Sequence, residues 1–186
     1  MIETSLKITD NPTDKMADSE SLQCVLCRSH KLNVAFRICD VKELVAASEL
    51  SISSLPALKL PNVGLIRRNG ELISVSELSH ILGTDAALAS GSLSRLVICH
   101  LQSDGETSVF GLMVDEVLAV TDIEASAFKS VSLHSVEGGL SVSGVEQAGR
   151  IFSKIFDFSD SEYRLVDVKV LHSFLESAIS RRKSGQ

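Results

Sequence analysis

Asn69-Gly70, lodged between the apolar-rich runs Val63 to Arg68 and Glu71 to Val75, commits this part of the chain to a tight strand reversal. Both residues accept the positive backbone angles of a type I′ turn, whose twist matches that of paired strands. Asp104-Gly105 repeats the signal between Arg95 to Gln102 and Thr107 to Val114. In the first of those runs Leu96, Ile98 and His100 share one face, and Val97, Cys99 and Leu101 share the other. Apolar residues on both faces predict a central, covered strand.

Further short runs follow the same logic. Leu22 to Arg28 and Lys31 to Ile38 flank Ser29-His30 as a third hairpin. Val41 to Ala46 is a strand or a short helical turn. Ser48 to Pro61 is an extended connector, since Leu55-Pro56 disfavours helix. Ser74 to Glu77 reads as a capping box that starts a helix over Val75 to Leu82, with Gly83 ending it. Thr84 to Ser92 is a small-residue bridge. Val117 to Ile123 is a strand, and Glu124 to Leu133 is irregular or briefly helical. Gly138-Gly139 is a turn, Leu140 to Val145 and Arg164 to Val170 are the last strands, and Leu171 to Ile179 is a helix. Arg181-Arg182-Lys183 then stands favourably at the negative helix end. No long internal repeat is visible. Many short strands between turn signals predict a mainly β sandwich or barrel architecture.

Composition narrows the function classes. A net charge of -6 argues against a nucleic-acid surface. Aromatic residues make up only 4%, with no Trp, so the core is built from branched aliphatic side chains. Residues 1–21 are polar and mixed in charge, which predicts a flexible arm and not a signal peptide. No run reaches the roughly 18 apolar residues of a membrane span. The expectation is a cytoplasmic protein with reduced cysteines and no direct membrane insertion.

Catalytic signatures are lacking: the chain has no Gly-x-Ser-x-Gly elbow, no phosphate-binding loop and no dinucleotide fingerprint. It is therefore expected to be non-catalytic and without cofactor. Cys24 and Cys27 form a Cys-x-x-Cys that invites a thiol or metal reading. Positions three apart on a strand face opposite sides, however, and no second such pair completes a four-ligand site. Cys39 and Cys99 read as small buried hydrophobes. The five histidines show no metal-ligand spacing.

Four segments in order carry a family resemblance: Val41-Lys42-Glu43-Leu44, Gly64 to Leu78, Gly111-Leu112-Met113-Val114-Asp115-Glu116-Val117, and the pair Val142-Ser143-Gly144-Val145 with Leu165-Val166-Asp167-Val168. Together they resemble the CheW-like coupling domain of bacterial chemosensory systems over about Leu22 to Leu171. The resemblance implies a mainly β fold of two packed, small five-stranded SH3-like barrels with short helices. It divides the chain into the arm 1–21, the domain 22–172, and a helix end with basic tail at 173–186. The longer stretch before Leu165 implies an inserted loop around Phe152 to Ser161.

By the same resemblance the partners are the regulatory domain of a CheA-type histidine kinase and the cytoplasmic tip of a chemoreceptor. The implied partner-binding residues are Val41, Glu43, Gly64, Arg67, Asn69, Gly70 and Asp115. Gly64, Gly70, Leu72, Val75 and Leu78 agree with the family pattern, whereas Arg67, Arg68, Asn69, Ser74 and Glu77 depart from it. Asn69 stands where the family has a partner-contacting Arg, and as a residue it suits the hairpin turn. Arg67, two residues earlier on the same strand face at about 6.6 Å of strand rise, is expected to supply the displaced guanidinium. Glu43 is a partner contact or a solvated strand-end charge. Asp115 and Asp167 follow apolar strands, where a carboxylate caps a turn or pairs locally. The alternatives are a divergent paralogue serving a pilus or surface-motility pathway with one of the two partners, and a thiol- or metal-binding protein using Cys24 and Cys27.

Overall fold

Side-chain alternation builds two curled sheets whose outer faces meet. The structure, a computed structural model, describes residues 20–54, 62–82, 94–103, 105–131 and 149–180. Its strands are β1 (Ser21–Ser29), β2 (Leu32–Arg37), β3 (Val41–Ala46), β4 (Asn62–Arg68), β5 (Glu71–Glu77), β6 (Arg95–Ser103), β7 (Glu106–Val114), β8 (Glu116–Glu124), β9 (Lys129–Ser130), β10 (Phe152–Phe158) and β11 (Ser161–Val166). Helix α1 (Leu78–Ile81) follows β5, and helix α2 (Val168–Ser180) follows β11.

One sheet runs β3-β6-β7-β5-β4 and the other β8-β1-β2-β11-β10-β9. The first is a central barrel cut from the middle of the chain. The second is a terminal barrel made from both ends. Each closes by the same device. After β3 a 3-10 turn at Ala47–Glu49 bends the chain, and Ser53 then pairs with Leu65 on the far edge. Ser53 N–H donates to the Leu65 carbonyl (2.8 Å), and Leu65 N–H donates back (2.9 Å). In the terminal barrel β8 pairs with β1, a 3-10 turn at Ala125–Ala127 bends the chain, and β9 pairs with β10 on the other edge. Counting β8 and β9 as one bent strand, each barrel has five strands, as the sequence resemblance implied.

The two units share a topology under circular permutation. Each has one parallel pair in the same place, β5 with β7 and β2 with β11, and each places a helix after the corresponding strand. The crossover from β2 to β3 passes through a 3-10 turn at Ile38–Asp40. A fork from Arg37 to the Asp40 carboxylate fixes that turn, with Nε–Oδ2 at 2.7 Å and Nη2–Oδ1 at 2.9 Å.

Apolar side chains fall into three clusters. Cys24, Leu26, Phe156 and Leu165 fill the terminal barrel. Val45, Ile66, Ile73, Leu96 and Ile98 fill the central one. The largest cluster lies between the barrels and takes the opposite faces of β1 and β6, Val25 with Cys27 and Val97 with Cys99, together with Leu78, Ile81, Leu171 and Leu175. The two-faced reading of β6 therefore holds for Leu96 and Ile98 against Val97 and Cys99, whereas His100 and Leu101 near the end of the strand are only partly buried and enter neither cluster. Each large apolar side chain buried there contributes about 1.5–3 kcal/mol relative to exposure.

Four expectations change. The capping box at Ser74 to Glu77 does not form: parallel pairing with β7 keeps the backbone extended through Glu77, opposite Met113, and Glu77 makes no side-chain cap bond. The helix is only Leu78–Ile81, and Val75 is a buried strand residue in place of a helical one. The inserted loop around Phe152 to Ser161 is instead the regular hairpin β10–β11. Its turn residues Ser159 and Asp160 both take positive φ (47° and 61°) without glycine, so no turn signal marked them. The last strand stops at Val166, short of Val170, because Asp167 caps α2: Val170 N–H donates to its Oδ1 at 3.0 Å. The undecided segment Val41 to Ala46 is a strand. The predicted arm through residue 19, the bridge 84–92, Gly83, the Gly138-Gly139 turn, the strand 140–145 and the basic tail lie outside the described residues.

Gly64 is fixed by space. A Cβ there would lie 2.4 Å from the Ser53 carbonyl oxygen, a backbone atom that cannot move without opening the barrel seam. Gly64→Ala is expected to lower unfolding free energy by about 1–3 kcal/mol or more in urea titration.

Candidate docking site

The β4–β5 hairpin is the best-defined exposed feature of the central barrel. Asn69 (φ 50°) and Gly70 (φ 83°) form the predicted reversal. Pairing puts Ile66 opposite Ile73 and Arg68 opposite Glu71 on the inward face. Arg67 opposite Leu72 and Leu65 opposite Ser74 make up the outward face. Leu72 is 68% exposed, the most exposed large hydrophobic residue described.

At the mouth of this barrel two ion pairs tie β3 to the hairpin. Arg68 donates through Nε to Glu43 Oε2 (2.8 Å) and through Nη2 to Oε1, a bidentate fork. Lys42 Nζ donates to Glu71 Oε2 at 2.7 Å. Since β3 and β4 are the two edges of the sheet, the fork bridges the seam that Ser53 closes lower down. The hydrogen bonds from Arg68 hold the Glu43 carboxyl below its ordinary value of 4.5.

The proposed partner-binding residues therefore separate. Glu43, Arg67, Asn69 and Gly70 gather at the hairpin and its seam. Val41 is half-buried, pairs with Cys99 and packs against the cluster between the barrels. Gly64 sits at the hairpin root. Asn69 occupies the turn itself, so the orientation of Arg67 is set by its pairing with Leu72 and not by a strand face shared with Asn69. Asp115 lies at the opposite end of β7 from the hairpin. Its carboxylate accepts the His30 N–H, and its own N–H donates to the Arg28 carbonyl at 2.9 Å. It thus braces the β1–β2 turn, where His30 takes φ 55°. Lys42, Glu71 and Leu72 carried no sequence signal as site residues. Arg68 carried one only as a departure from the family pattern.

Cys24 points into the terminal barrel and Cys27 into the layer between barrels, so the two thiols share no site. Burial pushes Cys24 up to about 11 and Cys27 up to about 12, and raises Cys99 as well. Cys39 is exposed, not buried as expected. Its carbonyl, not its thiol, contacts His100 Nε2 at 2.7 Å. Among the described residues no group of three or more His, Cys, Asp or Glu is placed to hold a metal ion.

Two permuted barrels joined through an apolar layer, with the charged seam and exposed hairpin on one rim, define a double-barrel β module. The chain belongs to the CheW-like domain family, whose sequence model matches residues 23–153. The fold is similar to the crystal structure of scaffolding protein TtCheW from Thermoanaerobacter tengcongensis, with a TM-score of 0.64 over 80% of this chain and 90% of that one, at 19% identity. No curated protein matches the sequence. Among the described residues no helix is long and apolar enough to cross a membrane.

Two measurements check this electrostatic and burial pattern. At pH 8 a thiol-reactive chromophore is expected to label one cysteine in the folded protein, Cys39, and all four after denaturation. Because Glu43 is depressed in the folded state, its pair stabilises fully above pH 4.5 and the contribution fades as pH falls through the lowered value. The Tm gap between the parent protein and Arg68→Leu is therefore expected at pH 7 and should shrink in acid.

Proposed function

We propose that the chain is a non-catalytic adaptor that acts in the cytoplasm and couples chemoreceptor tips to a CheA-type histidine kinase in chemosensory signalling. Membership of the CheW-like family carries this reading, and the likeness to a protein described as scaffolding agrees with it. The coupling is mechanical. A body whose barrels are locked by one apolar layer holds two docking surfaces in fixed relation, and specific interfaces of modest size need no pocket. In this reading Arg67 makes the direct contact. Asn69, Gly70 and Gly64 set the hairpin shape, Asp115 braces the β1–β2 turn of the other barrel, and Val41 aligns the strand carrying Glu43.

A second reading is favoured by two observations. Glu43 is held by Arg68 inside the molecule, and Asn69 stands in the position of the family's contacting Arg. Those changes suit a divergent paralogue that serves a pilus or surface-motility pathway through one of the two partners.

Calorimetric titration against the purified regulatory domains of the organism's CheA-type kinases separates the two. Saturable binding that Arg67→Glu weakens about tenfold or more, with fold retained, is the expected result for a kinase-coupling adaptor. Absence of heat with every kinase domain, alongside binding to a receptor tip, selects the one-partner paralogue.

A further inference from the structure

Around the hairpin two acid–base pairs form and one cation is left over, while the exposed Glu49 carboxylate also acts on Arg68 from the turn after β3. Glu43 takes both hydrogen bonds of the Arg68 fork, and Glu71 takes Lys42. Arg67 has no ion-pair partner among the described residues and stands exposed beside Leu72, its cross-strand neighbour. The outward face of β4–β5 thus presents an apolar side chain and one uncompensated positive charge on a chain whose net charge is -6. A carboxylate already held in a bidentate fork offers less to an incoming cation, because two of its acceptor sites are filled and its charge is largely offset by Arg68.

We infer that Arg68 withholds Glu43 from intermolecular contact, so that this face docks through the Arg67–Leu72 pair onto an acidic protein segment that carries an exposed apolar side chain. Arg68 is a positioning residue: it acts through Glu43 and sets the sign of charge the face selects. The complement follows from chemistry. A carboxylate meets the Arg67 guanidinium in planar, two-point geometry, and an apolar neighbour covers Leu72 and excludes water from the pair. A basic segment would find no free carboxylate in this pair. The inference deepens the adaptor reading and rests on it for the identity of the natural partner, but its chemistry is testable with defined peptides.

The test uses the full-length protein, labelled with ¹⁵N, and two synthetic peptides with the same leucine-containing centre, one flanked by aspartates and one by lysines. The aspartate peptide is expected to shift the amide signals of Leu65 to Ser74, with affinity that falls as salt rises. Arg67→Glu should weaken that binding about tenfold, whereas Glu43→Gln should change it less than about twofold. In parallel, the Glu43 carboxyl should titrate below the ordinary glutamate value in the parent, return to it in Arg68→Leu, and be partly restored to the lowered value by Arg68→Lys. A fold-supporting role for Arg68 alone would not move that titration in step with peptide selectivity. Equal shifts from the lysine peptide, a Glu43→Gln loss as large as that of Arg67→Glu, or an ordinary Glu43 titration in the parent would each overturn the inference. Uptake of neither peptide by a protein that still binds a kinase domain overturns the proposed occupant and leaves the adaptor reading standing. Uptake of the aspartate peptide without any kinase binding does the reverse.

Discussion

The apolar layer between the two barrels is the constraint on which the rest of the molecule depends. A small barrel has an inner face to fill, and a short strand fills it with two or three side chains. Here β1 and β6 carry apolar residues on their outer faces too, and those faces meet, covered at the sides by α1 and α2. Neither barrel could expose Val25, Cys27, Val97 and Cys99 to water without losing several kcal/mol of burial. The barrels are therefore one body, and their relative orientation is fixed by packing and not by a linker. Leu175 extends that layer into the C-terminal helix, which is thereby part of the packed body and not an appendage.

Closure of each barrel solves a second problem. An open sheet edge offers unpaired backbone groups to any passing strand. Both sheets close by bending a strand at a 3-10 turn so that one segment reaches both edges. In the central barrel this forces Gly64 against Ser53, and the Glu43–Arg68 fork spans the same seam. Exposed ion pairs add little to stability on their own. Their position matters more: they join the two edges of the sheet at its rim and leave Arg67 outside the pairing.

Much of the fold was legible in the residues. Asn69-Gly70 and the alternation around Leu96 to Leu101 sufficed for two hairpins and a doubly covered strand, because turn chemistry and period-two burial are local properties. The turn at Ser159-Asp160 was not legible, since nothing in a Ser-Asp pair demands left-handed backbone; the hairpin around it imposes that shape. The capping-box pattern at Ser74 misled for the converse reason. Its local preference was overridden by seven cross-strand partners, four parallel in β7 and three antiparallel in β4. The permuted repeat escaped notice because topology preserves it while the residues have diverged and the starting strand has shifted.

By itself the sequence determined the hairpin reversals, the apolar faces of the strands, and the family whose order of segments the chain follows, all of which depend on near neighbours. Tertiary structure alone decided which strands close each barrel and that Glu43 is taken by Arg68. These are contacts between residues dozens of positions apart, and no local preference encodes them. Glu43 and Arg68 are brought within hydrogen-bond reach only because the sheet curls until its two edges meet.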